Sequence, residues 1–233
     1  MSATLKQLRD KVIIDRPNLI GHPDFPDARL NKELNLAQRY VQTEIAGIGF
    51  YKWQASASAT AGLSATTHAG VNVKTVPINA TYFPNMLESP KSIRYFDISD
   101  GSTSGIAREV AEQNLQEKLS NTYTAPTLKQ GSFTRIDNNV ILAPSTITTA
   151  TVHFLKVVTD LSSDSDTTEI PPEFEGFILK KVLIELDDIL GKLDSKASAM
   201  QQLGMDIQKA YQEYNNRQMI TSEKKNNASE ILQ

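Results

Sequence analysis

The chain has 233 residues, 39% of them hydrophobic, and a net charge of −3 at pH 7. It has room for one sizeable domain or two small ones, and its charge argues against a broad basic surface wrapped on the DNA phosphate backbone. It contains no cysteine, which excludes disulfides and thiolate metal sites, and it shows neither a membrane-spanning apolar run nor a signal peptide's hydrophobic core, so synthesis in the cytoplasm with no membrane partner is expected.

Ser2 is read as an N-cap, with Leu5, Leu8 and Val12 following at helical spacing, so a first helix is predicted over Ala3–Ile14. Asp15–Pro26 holds three prolines and a glycine and reads as a connector. Asp27 is expected to cap a long second helix whose apolar stripe is Leu30, Leu34, Ala37, Val41, Ile45 and Ile48. Gly47 and Gly49 end it. The Asn and Gln residues of this helix read as its solvated side.

Phe50–Trp53 begins a strand-like segment. From Ala55 to Gly70 nearly every residue is Ala, Ser, Thr or Gly, and such small side chains bury too little apolar area to build a core. This stretch reads as a flexible loop, or as a thin hairpin turning near Gly62. It is expected to be mobile in a free subunit and to pair with a neighbour through Ala57, Ala59, Ala61, Gly62 and Leu63. Val71, Val73 and Thr75 mark an emerging strand, Asn79–Pro90 is turn-rich, and Ser92–Ile98 is another strand. Ile106, Val110, Leu115 and Leu119 predict a short helix near residues 104–120.

Phe133–Ile136 and Val140–Leu142 read as a strand pair across the turn Asp137–Asn139, because Asp and Asn tolerate left-handed backbone angles. Thr148–Val158 is rich in Thr and Val, as strands are. Asp160–Glu169 is a polar, acidic loop. Pro171 and Pro172 then open a helix, where a missing N–H is no loss. Its apolar face is Phe174, Ile178, Val182, Leu186 and Ile189. Gly191 is read as its stop and Asp194 as the next N-cap. The last helix carries a narrow seam of Ala197, Met200, Gly204, Ile207, Tyr211 and Tyr214. Beyond it, Met219 and Ile220 are the last apolar pair before a polar tail ending in Ile231 and Leu232, which is not expected to hold structure alone.

The fold expected is α+β, with N- and C-terminal helices forming one helical bundle and a β-rich domain inserted between them. The divisions are 1–49 for the first helices, 50–170 for the insertion, 171–221 for the C-terminal hairpin and 222–233 for the tail. Leu30, Leu34, Val41 and Ile45 are expected to share a core with Phe174, Ile178, Val182 and Leu186.

No catalytic, metal or cofactor site is predicted. His22, His68 and His153 are far apart and match no ligand spacing. Gly62-Leu63-Ser64-Ala65 lacks the second glycine of a nucleophile elbow, and Gly47-Ile48-Gly49 lacks the third glycine of a phosphate loop. Asp164–Glu169 begins like a calcium loop but lacks its glycine and its distal Glu. It reads as a solvated linker whose acids precede a helix N-terminus.

The order of these parts carries a resemblance. "ILAP" (Ile141–Pro144) precedes a Thr/Val strand, the acidic linker Asp160–Asp166, "EIPPEF" (Glu169–Phe174) and a two-helix tail closing in "AYQEYNNR" (Ala210–Arg217). Together with "ARLNKELNLAQRYV" (Ala28–Val41) these resemble the head-to-tail adaptor, or connector, proteins of tailed bacteriophages. The resemblance implies a structural virion protein rather than an enzyme. It implies a ring, usually twelve-fold, docked beneath the portal and joined to tail or neck proteins, with helices in the ring body and the β region toward the tail. Double-stranded DNA would pass through its lumen without sequence-specific binding. Portal or neighbour contacts are expected at Tyr211, Tyr214, Arg217, Met219, Ile220, Ile231 and Leu232. The rival reading is a monomeric ligand- or carbohydrate-binding β module with a helical hairpin, which a size measurement in the presence of portal would separate from the first.

Overall fold

Leu30, Leu34, Val41 and Ile45 recur on one face of their helix, and in a computed structural model of the chain all four are buried, as are Phe174, Ile178, Val182 and Leu186. The structure describes residues 2–19, 25–50, 52–88 and 92–230, with side chains as far as Arg217. In chain order the elements are α1 (Leu5–Asp15), α2 (Asp27–Gly47), β1 (Gln54–Ser58), β2 (Ser64–His68), β3 (Val71–Pro77), β4 (Ile93–Ser99), β5 (Ser104–Glu109), α3 (Glu112–Ser120), β6 (Gln130–Ile136), β7 (Asn139–Ala143), β8 (Thr149–Leu155), α4 (Glu175–Ile189) and α5 (Lys196–Glu230). The chain divides into two compact units, Met1–Phe50 with Val158–Gln233, and Tyr51–Val157. The architecture is therefore α+β, with the helical unit built from both chain ends and the β-rich unit inserted between them.

In the helical unit α2 packs against α1, α4 and α5, and α4 packs against α5. Burying each Leu, Ile or Phe of these faces contributes roughly 1.5–3 kcal/mol. Helix starts differ from the sequence reading in detail. Thr4, not Ser2, caps α1: its hydroxyl accepts from the Gln7 amide at 3.2 Å, and the Gln7 side chain accepts from the Thr4 amide at 2.9 Å. This reciprocal pair satisfies two donors that a lone Ser2 cap would leave open. Asp27 is the first helical residue of α2 rather than its cap. Ser195, not Asp194, accepts from the Ser198 amide at 3.3 Å at the start of α5. Gly191 does end α4, with φ of 65°, a conformation that costs glycine little.

The seam of α5 is centred on Leu203 and Ile207, both buried, with Met200, Tyr211 and Tyr214 half-buried and Ala197 exposed. Leu203 takes the buried place that the three-and-four spacing assigns to its neighbour Gly204. Ile189, at the end of α4, is exposed rather than part of the apolar face. The backbone of α5 is helical to Glu230, where the sequence had suggested an unstructured tail from 222. No proline or glycine follows Gly204, so nothing in the chain breaks the helix.

Residues 158–170, expected to go with the β region, belong to the helical unit. They run along α2, with Val158, Leu161, Thr168 and Ile170 buried.

In the other unit eight strands form one sheet in the order β1-β8-β4-β5-β6-β7-β3-β2. All neighbours are antiparallel except β5 and β6, which the α3 crossover joins in parallel. A flat sheet of this size would hold its edges about 34 Å apart, at about 4.8 Å per strand. Yet β1 and β2, the two edges, are joined only by residues 59–63, which span at most about 20 Å. The sheet must therefore curl around its core, where Phe96, Phe133, Phe154, Val140, Leu142 and Val152 meet. On the outside, Leu115 of α3 packs with Val73, Ile141 and Ala143. This is why Val140–Ala143 reads as a continuous apolar run: both faces of β7 are covered.

The helix predicted from Ile106 is instead a strand followed by α3. Ala107 is buried in the sheet core while Ile106 and Arg108 face outward. Ile106 and Val110 fit a helical step, but so short a run fits both periods, and pairing to β4 and β6 decides it.

Candidate functional site

No catalytic constellation emerges from the described residues, and among them no group of three or more His, Asp or Glu could hold a metal ion. The acidic stretch and His153 each have local partners, whereas Nε2 of His68, on β2, is buried with no hydrogen-bond partner among the described residues. The Asp166 carboxylate accepts from the Ser163 hydroxyl at 2.6 Å, from the Ser162 hydroxyl at 2.9 Å and from the amides of both serines at 2.8 Å. The Ser163 hydroxyl first, then these amides, hold Asp166 well below the usual carboxylate range. Asp164 pairs with Arg9 at 3.0 Å. The stretch that began like a calcium loop is thus a closed turn whose acids bind the protein itself. His153 lies on the outer face of β8, stacked on Tyr95 with ring centroids 4.2 Å apart and bonded to Asp97 at 2.8 Å. His22 lies outside the described residues.

The linker from Val158 is held to α2 by amide side chains spaced three, then four residues apart. Gln42 Oε1 accepts from the Val158 amide at 3.0 Å. Gln38 Nε2 donates to the Thr159 carbonyl at 2.9 Å, and Gln38 Oε1 accepts from the Thr168 hydroxyl at 3.2 Å. Asn35 donates to the Leu161 carbonyl at 3.0 Å and accepts from its amide at 2.9 Å. Gln38 and Gln42 are fully buried, so they are not the solvated side of α2. Asn, Gln and Gln at this spacing share one helix face, and each side-chain amide can donate and accept with a passing strand. The linker then meets the start of α1, where the Leu5 amide donates to the Asp166 carbonyl at 2.8 Å, and the first residue of α4 reaches the segment before α1, where the Ala3 amide donates to Glu175 Oε1 at 2.7 Å.

The residues expected to meet partners divide into two places. Tyr211 and Tyr214 on α5 lie in an aromatic cluster with Phe50 and Phe174. Phe50 meets Tyr214 at 5.7 Å, Tyr211 at 6.4 Å and Phe174 at 5.9 Å, all edge-on, and Phe174 lies 5.9 Å from Tyr214. Such pairs contribute about 0.5–1.5 kcal/mol beyond area burial. Phe50 is the member that sequence reasoning assigned elsewhere, to the start of a strand. Ion pairs set the register of the hairpin above this cluster: Lys180–Asp206 at 3.1 Å, Lys196–Glu185 at 2.6 Å and Lys196–Asp188 at 3.1 Å. Lys181 also pairs with Glu185. Burial alone would raise Glu185, but the bonds from Lys181 and Lys196 outweigh it and lower the carboxyl. Because α4 starts at Glu175, the hairpin register brings α4 alongside α5 only as far as Tyr214. Arg217 is exposed. The side chains of Met219 and Ile220, and all of Ile231 and Leu232, lie outside the described residues.

The second place is Ala55–Gly70. It is not a hairpin: β1 pairs with β8 and β2 pairs with β3, at opposite edges of the sheet. Their small residues serve the subunit's own core. Ala59 is fully buried, Ala57 and Leu63 pack against the same cluster, and a Cβ on Gly62 would come within 2.7 Å of the Tyr82 ring. Ala61 is exposed. What the stretch presents outward is the polar side of two short edge strands.

A family model described as SU10 adaptor protein matches residues 3–228. Among curated proteins none matches the chain.

Proposed function

Because the chain belongs to the SU10 adaptor protein family, we propose that it is a structural subunit of a phage head-to-tail connector, forming a ring between portal and tail. The match across both units carries this reading. Twelve copies, the usual number of the connectors it resembles, would enclose a lumen for double-stranded DNA in the neck of the virion. The net charge of −3 suits a channel that lets DNA slide rather than gripping its phosphates.

The helical unit supplies the portal contact in this reading. Tyr211 and Tyr214 root α5 in the aromatic cluster, and the helix continues to Glu230 past the end of its hairpin partner. At about 1.5 Å per residue, the 35 residues of α5 span about 52 Å. The segment from Arg217 onward, with Met219, Ile220, Ile231 and Leu232, is the part that reaches the portal. The sheet unit meets neighbouring copies and tail proteins. Its neighbour contact falls on exposed Ala61 and on the outward edges of β1 and β2, since Ala59 is committed to the core. A ring needs two different, complementary faces on each subunit, and the neighbouring edges of β1 and β2, with Ala61 between them, supply one of the two.

Cryo-electron microscopy of the purified chain mixed with its portal tests this. A ring of subunits seated on the portal is expected. Monomers that leave the portal bare would overturn it.

A further inference from the structure

The outer face of the sheet carries a concavity of about 960 Å³ where β5 and β6 meet the loop after α3. Arg108, Lys118 and Lys129 line it against one carboxylate, Glu109. Arg108 and Lys129 make no hydrogen bond or ion pair through their side chains among the described residues, and Lys118 reaches only the Ser132 hydroxyl, at 3.5 Å. Unpaired cations gathered in a depression raise its local potential.

The wall of the concavity is fixed. The Tyr123 amide donates to Asn121 Oδ1 at 3.0 Å, the Thr124 amide to the Asn121 carbonyl at 3.1 Å, and Thr127 and Gln130 exchange amide bonds. A Cβ on Gly105 would collide with the Leu128 carbonyl oxygen, so the loop lies directly on β5. On this loop Tyr123 is 99% exposed. An exposed Tyr lining the same concavity as an unpaired Arg is side-chain chemistry enriched at protein interfaces.

The depression is elongated. Two shallower concavities, of about 350 and 430 Å³, continue it along β4 and β5, and all three share Ile106, which is 41% exposed.

We propose that this groove along the outer face of β4, β5 and β6 docks an extended acidic peptide segment of a partner protein. Carboxylates of the segment would meet Arg108, Lys118 and Lys129, and its apolar side chains would meet Ile106 and Tyr123. Glu109 and Asp97 also line the groove, so the partner's negative charges must be spaced to meet the cations and miss these carboxylates, which separate side chains on a peptide can do and the evenly charged backbone of DNA cannot. The inference does not depend on ring formation.

Fluorescence anisotropy of the full chain tests it with three fluorescein-labelled probes: a peptide of alternating Glu and Leu, a peptide of alternating Lys and Leu, and a short DNA duplex. The acidic peptide should bind saturably, and more weakly as salt rises. Arg108→Ala with Lys129→Ala should weaken it at least about tenfold, Tyr123→Ala several-fold, and the charge-preserving pair Arg108→Lys with Lys129→Arg should retain most binding. All these positions are exposed, so the variants should melt like the wild type. Three results would each overturn the proposal: no saturable binding of the acidic peptide, equal binding by the doubly substituted chain, or tighter binding of the Lys/Leu peptide or the duplex.

Discussion

The Thr168 hydroxyl donates to Gln38 Oε1 at 3.2 Å, although the two residues lie 130 positions apart and both are buried. The opposite end of the same amide donates to the Thr159 carbonyl at 2.9 Å and to Asn35 Oδ1 at 3.1 Å. One side chain thus fastens both ends of the incoming linker to α2. Gln38→Leu should lower the unfolding free energy by about 1–3 kcal/mol, the cost of leaving buried polar partners unsatisfied. Urea denaturation measures it. A midpoint unchanged from wild type would mean that the linker is not held by this residue.

Ile178 lies fully buried on α4. Ile178→Asp should prevent soluble folding, because an unpaired carboxylate would enter a core with no partner for it. Soluble yield and the far-ultraviolet circular dichroism spectrum report the outcome. Wild-type stability in this variant would contradict the packing of α4 in the helical unit.

Arg16 grips Asp187 with two bonds, Nε at 2.9 Å and Nη2 at 2.6 Å, tying the end of α1 to α4. The Arg16 hydrogen bond holds Asp187 below its ordinary value. A carboxylate lowered in the folded state stabilises fully above its unfolded pKa, about 3.9, and loses that contribution as pH falls through the folded value. Asp187→Asn should therefore cost about 1–3 kcal/mol near pH 7. Its melting temperature should also fall less steeply than that of wild type as pH drops below about 4. Parallel pH-dependent slopes for the two chains would assign the linkage elsewhere.

Truncation after Arg217 keeps Leu203, Ile207 and the ring contacts of Tyr211 and Tyr214. The shortened chain should fold and melt within a few degrees of the full one. It should fail to join portal-bearing heads, which a sedimentation assay reads directly. Normal assembly by the truncated chain would remove the end of α5 from the portal contact.

What the sequence determined on its own was local. The stripes on α2 and α4, the stop at Gly191, the Asp137–Asn138 turn and the α+β composition all follow from backbone preferences and from the period at which a single element repeats its buried face. Tertiary structure decided which surfaces meet. Gln38 and Gln42 looked solvated because a sequence does not say that an extended segment more than a hundred residues later will lie on them. Ala55–Gly70 reads as a flexible loop or a thin hairpin because its small residues are adjacent in the chain, yet β1 pairs with β8 and β2 with β3. Strand pairing supplies its hydrogen bonds from distant segments, so small alternating residues gain a core from Phe154 and Val152 rather than from each other. The groove around Arg108 had no linear signal, since its cations come from β5, α3 and the loop before β6 and converge only when the α3 crossover lays β6 parallel to β5.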